Sequence, residues 1–109
     1  MKFLLVCVAV VLSATTVSCN KKKAPPEGLE EWKSGMLALQ VGKPHNAVGN
    51  FRDSCNRGFA KGCHQLGIAY DTGNGVKKDP AMRQKYYSKA CKLGHKRSCF
   101  LSKNSRKGR

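Results

Sequence analysis

Four cysteines constrain the fold of this chain more than any other feature, because they form two pairs with the same spacing. The first pair is Cys55 and Cys63, and the second is Cys91 and Cys99, 36 residues later. In one unbroken α-helix, residues eight apart are separated by about 12 Å along the axis, whereas a disulfide needs Cα atoms within about 7 Å. A helix that ends between the two cysteines and turns back would bring their sulfur atoms together. The spacing therefore predicts two helical hairpins, each closed by a disulfide.

Zinc coordination is the alternative use of these cysteines, with His64 and His95 as nearby nitrogen donors. Zinc ligands usually occur in pairs separated by about two to four residues, which is closer than the cysteines here. Four cysteines allow three connectivities, and the repeated spacing favours pairing within each hairpin. Export to an oxidising compartment would also favour disulfides. We therefore predict two disulfides, no metal site and no cofactor.

The N-terminal segment has the order of a secretory signal. Lys2 precedes an apolar run over residues 3–12, and small residues follow as far as Ser18. A charged start, an apolar middle and a small-residue end are typical of a signal peptide. The apolar run is too short to be a good membrane-spanning helix. We predict a signal peptide over residues 1–18.

The end of this segment, Thr16-Val17-Ser18-Cys19, resembles the lipobox of bacterial lipoproteins, in which lipid is attached to the cysteine. The resemblance implies lipidation of Cys19, and Thr16 in place of the usual leucine leaves cleavage without lipidation as the alternative. Residues 19–28 contain three lysines and two prolines, and they are expected to form a flexible linker. The expected location is the bacterial envelope, as a periplasmic or outer-membrane-tethered lipoprotein with its lipid anchor in the membrane.

The chain carries a large excess of positive charge. It contains 21 Lys and Arg against 6 Asp and Glu, which gives a formal net charge of +15 at pH 7. In an exported protein this charge favours anionic lipids, cell-wall polymers or acidic proteins as partners, and we expect no nucleic acid partner. The mature part has about 90 residues, a size at which a single core is only marginally stabilising. Covalent cross-links would therefore contribute usefully to stability.

Apolar residues recur at helical spacing in five segments. We predict helices over about 29–41, 44–57, 59–72, 80–93 and 95–104. Asp79 is placed to cap the fourth helix in front of Pro80. Placing residues 44–73 over 80–109 matches both cysteine pairs, the prolines that begin the helices, and Phe51 with Tyr87. A 36-residue period of helix pairs is typical of an α-solenoid.

Three motifs resemble the Sel1-like repeat. They are Leu66-Gly67-Ile68-Ala69-Tyr70, Gly73-Asn74-Gly75-Val76-Lys77-Lys78-Asp79 and Tyr86-Tyr87-Ser88-Lys89-Ala90-Cys91. In combination with Cys63 and Cys99 they are similar to the Helicobacter cysteine-rich proteins. The resemblance covers about residues 29–102, within a domain assigned to 29–109 that ends in a basic tail. It implies an all-α fold, an α/α solenoid of antiparallel helix pairs with about five helices, two disulfide-stapled hairpins and a concave groove.

The resemblance also implies a candidate binding groove, lined by the first, third and fifth helices as in tetratricopeptide arrays. Matching Gly35 with Gly67 places Trp32, His64 and Phe100 in one row. The predicted groove residues are Trp32, Met36, Lys61, His64, Ile68, Arg97 and Phe100. An aromatic row beside two cations suits another protein or an extended peptide with an acidic group. The competing hypothesis is that Trp32, Ile68 and Phe100 simply pack between neighbouring helices.

The sequence has no motif that would support catalysis. Its serines lie in no nucleophile elbow or Ser-x-x-Lys context, and the glycines of 73–75 lack the preceding strand and lysine position of a P-loop. We predict a non-catalytic protein-binding or peptide-binding module that acts as an adaptor or scaffold. One alternative is a periplasmic immunity protein that inhibits a secreted effector. The other, implied by the family resemblance, is weak penicillin-binding or β-lactamase activity.

Overall fold

The computed structural model describes residues 24–104. This part of the chain contains five α-helices joined by short loops. They are α1 (Leu29–Gln40), α2 (Pro44–Asn56), α3 (Ala60–Thr72), α4 (Pro80–Lys92) and α5 (Lys96–Asn104). Each end lies within one residue of the range predicted from apolar spacing, and this part of the chain contains no strand. The predicted all-α fold is confirmed. The predicted signal peptide and Cys19 lie outside the described residues.

Both predicted disulfides are present, and each closes a helical corner. Cys55 is bonded to Cys63 and Cys91 to Cys99, with Cα atoms 4.5 Å apart in each pair. The two corners use the same backbone geometry, because each contains a glycine at positive φ, a region that other residues rarely adopt. The first disulfide joins α2 to α3 and the second joins α4 to α5. These four sulfur atoms are therefore unavailable as thiolate ligands for zinc.

The connector between α3 and α4 is held by hydrogen bonds to α2 and α3. Gly73 ends α3 in the left-handed conformation, at φ 77°. His45 Nδ1 donates to the carbonyl oxygen of Gly75 over 2.7 Å, and the Asp79 N–H donates to the Tyr70 carbonyl oxygen over 3.0 Å. These contacts explain the glycines of this loop as structural positions, so its composition does not require a phosphate site.

The N-terminus of α4 has the predicted cap. The Asp79 carboxylate accepts hydrogen bonds from the backbone N–H groups of Ala81 and Met82, at 3.0 Å and 3.2 Å. Pro80 occupies the first helical position, where the absence of an N–H has no cost. The local sequence Asp-Pro therefore specifies where α4 begins.

The helices form two layers. Contacts between side chains place α1, α3 and α5 next to one another, while α2 and α4 pack behind them. We call α1, α3 and α5 the inner layer, and α2 and α4 the outer layer. Phe51 of α2, Leu66 of α3 and Tyr87 of α4 are each at most 2% exposed and form the centre of the packing. None of the five helices of residues 24–104 is long and apolar enough to span a bilayer.

A glycine of the inner layer receives an aromatic ring of the outer layer in both helix pairs. A Cβ atom added to Gly35 would lie 2.5 Å from the Phe51 ring, and one added to Gly67 would lie 2.5 Å from the Tyr87 ring. Any larger residue would force the two helices apart, because packed cores leave no room for the displaced ring. The third equivalent position in the sequence is Lys103, which has a side chain where the other two inner helices have a glycine.

The glycine contact leads to a paired prediction. Gly67→Ala should lower the free energy of unfolding by about 1–3 kcal/mol, because the new methyl group overlaps the Tyr87 ring. Gly49→Ala is the matched control: it lies within α2, and its added Cβ has no neighbour within 4 Å. The control should gain about 0.5–1 kcal/mol, the usual helical preference of alanine over glycine. Chemical denaturation of the oxidised protein measures both, and equal changes in the two variants would contradict the packing described for Gly67.

Candidate functional site

The three residues of the predicted row, Trp32, His64 and Phe100, occupy equivalent positions but differ in exposure. Trp32 is half-buried, His64 is 8% exposed and Phe100 is 65% exposed. The difference arises because the first turn of the next inner helix covers the first two residues. No helix of the described residues follows α5, so Phe100 remains open to solvent.

Trp32 forms the aromatic floor of the site, and residues at the start of α3 contact it. The Phe59 ring lies 5.9 Å from the Trp32 ring between centroids, at an interplanar angle of 56°. The Lys61 Nζ atom lies 5.3 Å from the centroid of the indole, a cation–π distance. Lys61 is itself exposed, so its ammonium group can be reached from solvent while the ring beneath it holds its position.

His64, His95 and Ser98 form a hydrogen-bonded cluster between α3 and α5. The Ser98 backbone N–H donates to His95 Nδ1 over 3.3 Å, so this nitrogen acts as an acceptor. The Ser98 hydroxyl, 2.9 Å from the same nitrogen, then donates to it as well. The third contact, 2.8 Å between His64 Nδ1 and Ser98 Oγ, is satisfied when His64 donates its Nδ1–H. This assignment follows from the donors and acceptors available.

Both histidines are neutral at pH 7. The pKa of His64 is lowered to about 4, mainly by burial and in addition by Arg97 and by His95 in its protonated form. Burial also lowers the pKa of His95, assisted by Lys61 and Arg97. The centroids of the two imidazole rings are 4.2 Å apart at an interplanar angle of 32°, so a positive charge on both rings would be unfavourable.

The pair of Ser98 and His64 has the short contact expected of a serine nucleophile and its base, but its surroundings prevent that role. Ser98 has no exposed surface, and its hydroxyl already bridges two histidines. A nucleophile must reach the reacting atom of a substrate. The cluster therefore serves as a clasp that joins α3 to α5.

Two cations flank this neutral cluster on the inner layer. Lys61 and Arg97 are 36 residues apart, occupy equivalent positions and are both exposed. Both lower the pKa of His95, so both charges act on the same imidazole. Neither forms an ion pair with an acid among residues 24–104. The arrangement offers an incoming carboxylate two positive groups, with the Trp32 ring beneath Lys61.

Ile68 borders a small cleft between α1, α2 and α3, with a volume of about 30 Å³. Apolar residues of all three helices form most of its wall, with three polar side chains among them: Leu39, Ala47, Val48, Phe51, Gln65, Ile68, Ala69, Thr72 and Asn74. This space suits the end of one aliphatic side chain. Met36, the other predicted groove residue of α1, is half-buried and packs against the core.

The sequence prediction missed three residues at the site: Phe59, His95 and Ser98. Each lies at the start of an inner helix and covers the preceding one. The 36-residue offset that pairs Phe59 with His95 was visible in the sequence. It did not show what these residues touch, because the contact depends on how neighbouring repeats stack.

The fold and the site together define a disulfide-stapled α-helical hairpin array with a cationic, aromatic inner layer. Over 45 residues the chain is 40% identical to HcpE of Helicobacter pylori strain J99, a protein named as a candidate beta-lactamase. The match covers 41% of this chain and 13% of HcpE, so the chain corresponds to a small part of that relative's length. No family model matches the chain. No solved structure matches it either.

Because the pKa values of His64 and His95 are lowered in the folded protein, we expect the free energy of unfolding to fall in mild acid. The unfolded chain binds protons on its histidines below about pH 6.5, whereas the folded chain keeps His64 neutral down to about pH 4. Between pH 7.5 and 5 we expect the free energy of unfolding to fall by about 2 kcal/mol on account of His64. In the His64→Gln variant, the free energy of unfolding should change much less with pH.

Asn46→Gln is the control for the pH experiment, since Asn46 is exposed on α2, lies outside the cluster and does not titrate. This variant should retain the full dependence of unfolding free energy on pH. Urea denaturation at a series of pH values gives the slope for each protein. An unchanged slope in His64→Gln would contradict the proposed buried, neutral imidazole.

Proposed function

We propose that this chain is a Sel1-like repeat protein whose inner layer binds another protein or an extended peptide through an acidic group. The observation that carries the proposal is the exposed pair Lys61 and Arg97, without acidic partners among the described residues, beside the ring of Trp32. In this function the chain acts as an adaptor or scaffold and performs no reaction.

The family assignment rests on three findings. The similarity to HcpE, the two disulfide-closed corners and the two glycine contacts with Phe51 and Tyr87 agree with the repeat suggested by the sequence motifs. The similarity covers a limited segment, so it supports a repeat module rather than any activity of the whole relative. Repeat arrays of this type use an extended inner surface for binding, which supports the peptide as ligand.

Charge and shape together favour an acidic, extended ligand. A carboxylate between Lys61 and Arg97 would form charge-assisted hydrogen bonds. Because the histidines are neutral, apolar atoms of the same ligand could pack near them without desolvating a charge. The Trp32 ring offers a flat contact for a side chain or a peptide plane. The cleft beside Ile68, between α1 and α3, can take one aliphatic side chain of the same ligand.

The binding proposal is tested by charge reversal on the inner layer. A partner captured from envelope extract with residues 24–109, which contain every described helix and both disulfides, is purified and titrated by calorimetry. Lys61→Glu and Arg97→Glu should each weaken binding about tenfold, which corresponds to roughly 1.4 kcal/mol. Lys43→Glu, an exposed lysine before α2, is the matched control and should retain the affinity.

A β-lactam-hydrolysing enzyme is the second candidate, favoured by the name of HcpE. The buried Ser98 argues against an acyl-enzyme route at the clasp. Turnover of the chromogenic substrate nitrocefin by the oxidised protein, above the rate in buffer, would support the enzyme. Loss of that turnover in Lys61→Glu, together with unchanged partner binding, would overturn the proposed binding function of the inner layer.

We also propose that residues 1–18 direct export, that Cys19 carries the lipid and that residues 29–109 form the repeat domain. The support is the sequence pattern together with two disulfides, which are typical of proteins outside the cytoplasm. Cys19→Ser should move the protein from the membrane fraction to the soluble fraction of a bacterial host, as followed by immunoblot. Mass spectrometry of the wild type should show the lipid on Cys19, and an unmodified mature protein in the soluble fraction would contradict the anchor.

A further inference from the structure

Positive charge is concentrated in one half of the described residues. Residues 24–72 contain five basic and five acidic side chains: Lys33, Lys43, Arg52, Arg57 and Lys61 against Glu27, Glu30, Glu31, Asp53 and Asp71. Residues 73–104 contain nine basic side chains and one acid: Lys77, Lys78, Arg83, Lys85, Lys89, Lys92, Lys96, Arg97 and Lys103 against Asp79. The first half is neutral and the second carries a net charge of +8, so α4 and α5 form a strongly cationic end.

Phe100 lies at the centre of the solvent-facing side of α5, within this cationic end. It is 65% exposed, the highest value among the large hydrophobic residues that the structure leaves open. Lys96 is one turn before it, Lys103 is one turn after it, and Arg97 is beside it on the helix surface. All three cations are exposed. We call Lys96, Arg97, Phe100 and Lys103 the terminal face.

The terminal face is not prepared to receive another helix pair of the same kind. In both existing pairs an aromatic ring of the outer layer rests on a glycine, Gly35 or Gly67. The equivalent position in α5 is Lys103, whose side chain would occupy the space that the ring needs. The exposed phenylalanine on α5 therefore requires a different explanation.

We propose that the terminal face and the adjoining lysines of α4 bind a membrane surface that contains anionic lipids. Phe100 enters the boundary between headgroups and acyl chains, and the surrounding cations contact lipid phosphates. The residue types suit a membrane surface, because lysine and arginine attract anionic headgroups and an aromatic ring can enter the boundary between headgroups and acyl chains. This surface shares Arg97 with the proposed peptide site, whose other groups, Lys61 and Trp32, lie outside it; the variants used in its test therefore leave Arg97 unchanged.

The distribution of charge favours a lipid surface over a single acidic protein. Lys85 and Lys92 are both exposed and lie two turns apart on one side of α4, so they add to the positive charge of the cationic end. A continuous sheet of negative charge can engage all of these cations at once, whereas a carboxylate group engages one or two. Each lysine near an anionic bilayer contributes about fivefold to partitioning, so several together give stable association.

Sedimentation with vesicles tests the proposal, using oxidised residues 24–109 so that the apolar N-terminal segment cannot contribute. We expect binding to phosphatidylcholine vesicles that contain phosphatidylglycerol, little binding to phosphatidylcholine alone, and loss of binding in high salt. Lys96→Glu with Lys103→Glu should lower the partition coefficient by at least about 25-fold. Phe100→Ser should lower it about tenfold through the loss of apolar burial.

The first half of the molecule supplies matched controls. Lys33→Glu with Lys43→Glu changes the net charge by the same amount, and Leu37→Ser removes a hydrophobic side chain that is 58% exposed on α1. These controls should change partitioning by less than about threefold, since they lie outside the cationic end. Circular dichroism shows whether each variant retains its helices.

Three results would overturn the proposal. They are the absence of binding to anionic vesicles, equal binding to neutral vesicles, and binding that the terminal-face variants and the controls reduce equally. A separate arm uses soluble polyglutamate as the probe. Binding to polyglutamate that depends on Phe100, without binding to vesicles, would assign the terminal face to an acidic protein instead.

Discussion

The contact between an aromatic ring and a helical glycine sets the distance between the inner and outer layers of helices. Phe51 on Gly35 and Tyr87 on Gly67 bring the outer helices close to the inner ones. On the other side of the inner layer, the start of α3 lies over α1, where Lys61 contacts the Trp32 ring. The proposed binding surface is therefore built on helices whose packing depends on two buried glycines.

The disulfides act at the next level, because they hold the corners from which each inner helix starts. With Cys55 bonded to Cys63 and Cys91 to Cys99, the first turns of α3 and α5 have the same relation to the preceding helix. One turn covers tryptophan with a phenylalanine and a lysine, and the other covers His64 with His95 and Ser98. The same geometry therefore produces an exposed cation–π pair and a buried polar clasp.

Charge divides the described residues into a neutral N-terminal part and a cationic C-terminal part. The inner layer combines two cations with aromatic and neutral imidazole rings, an arrangement that supports the proposed binding of an acidic peptide. The terminal face surrounds a single exposed phenylalanine with cations and has no neutralising acid on α5. If both proposals hold, a membrane-bound α4–α5 end would leave the N-terminal part of the inner layer free for a partner. The neutral first half would then face away from the lipid.

The five helices, their ends and the two disulfides could be predicted from the sequence, because they depend on local spacing, capping residues and glycine corners. The 36-residue offset also placed Trp32, His64 and Phe100 in one row. Their different environments depend on tertiary packing, since burial requires that another helix follow. Trp32 and His64 are covered by the next inner helix, and Phe100 is exposed at the end of the described array. The clasp at Ser98 also depends on tertiary packing, because its two histidines are 31 residues apart in sequence and meet only when the hairpins stack.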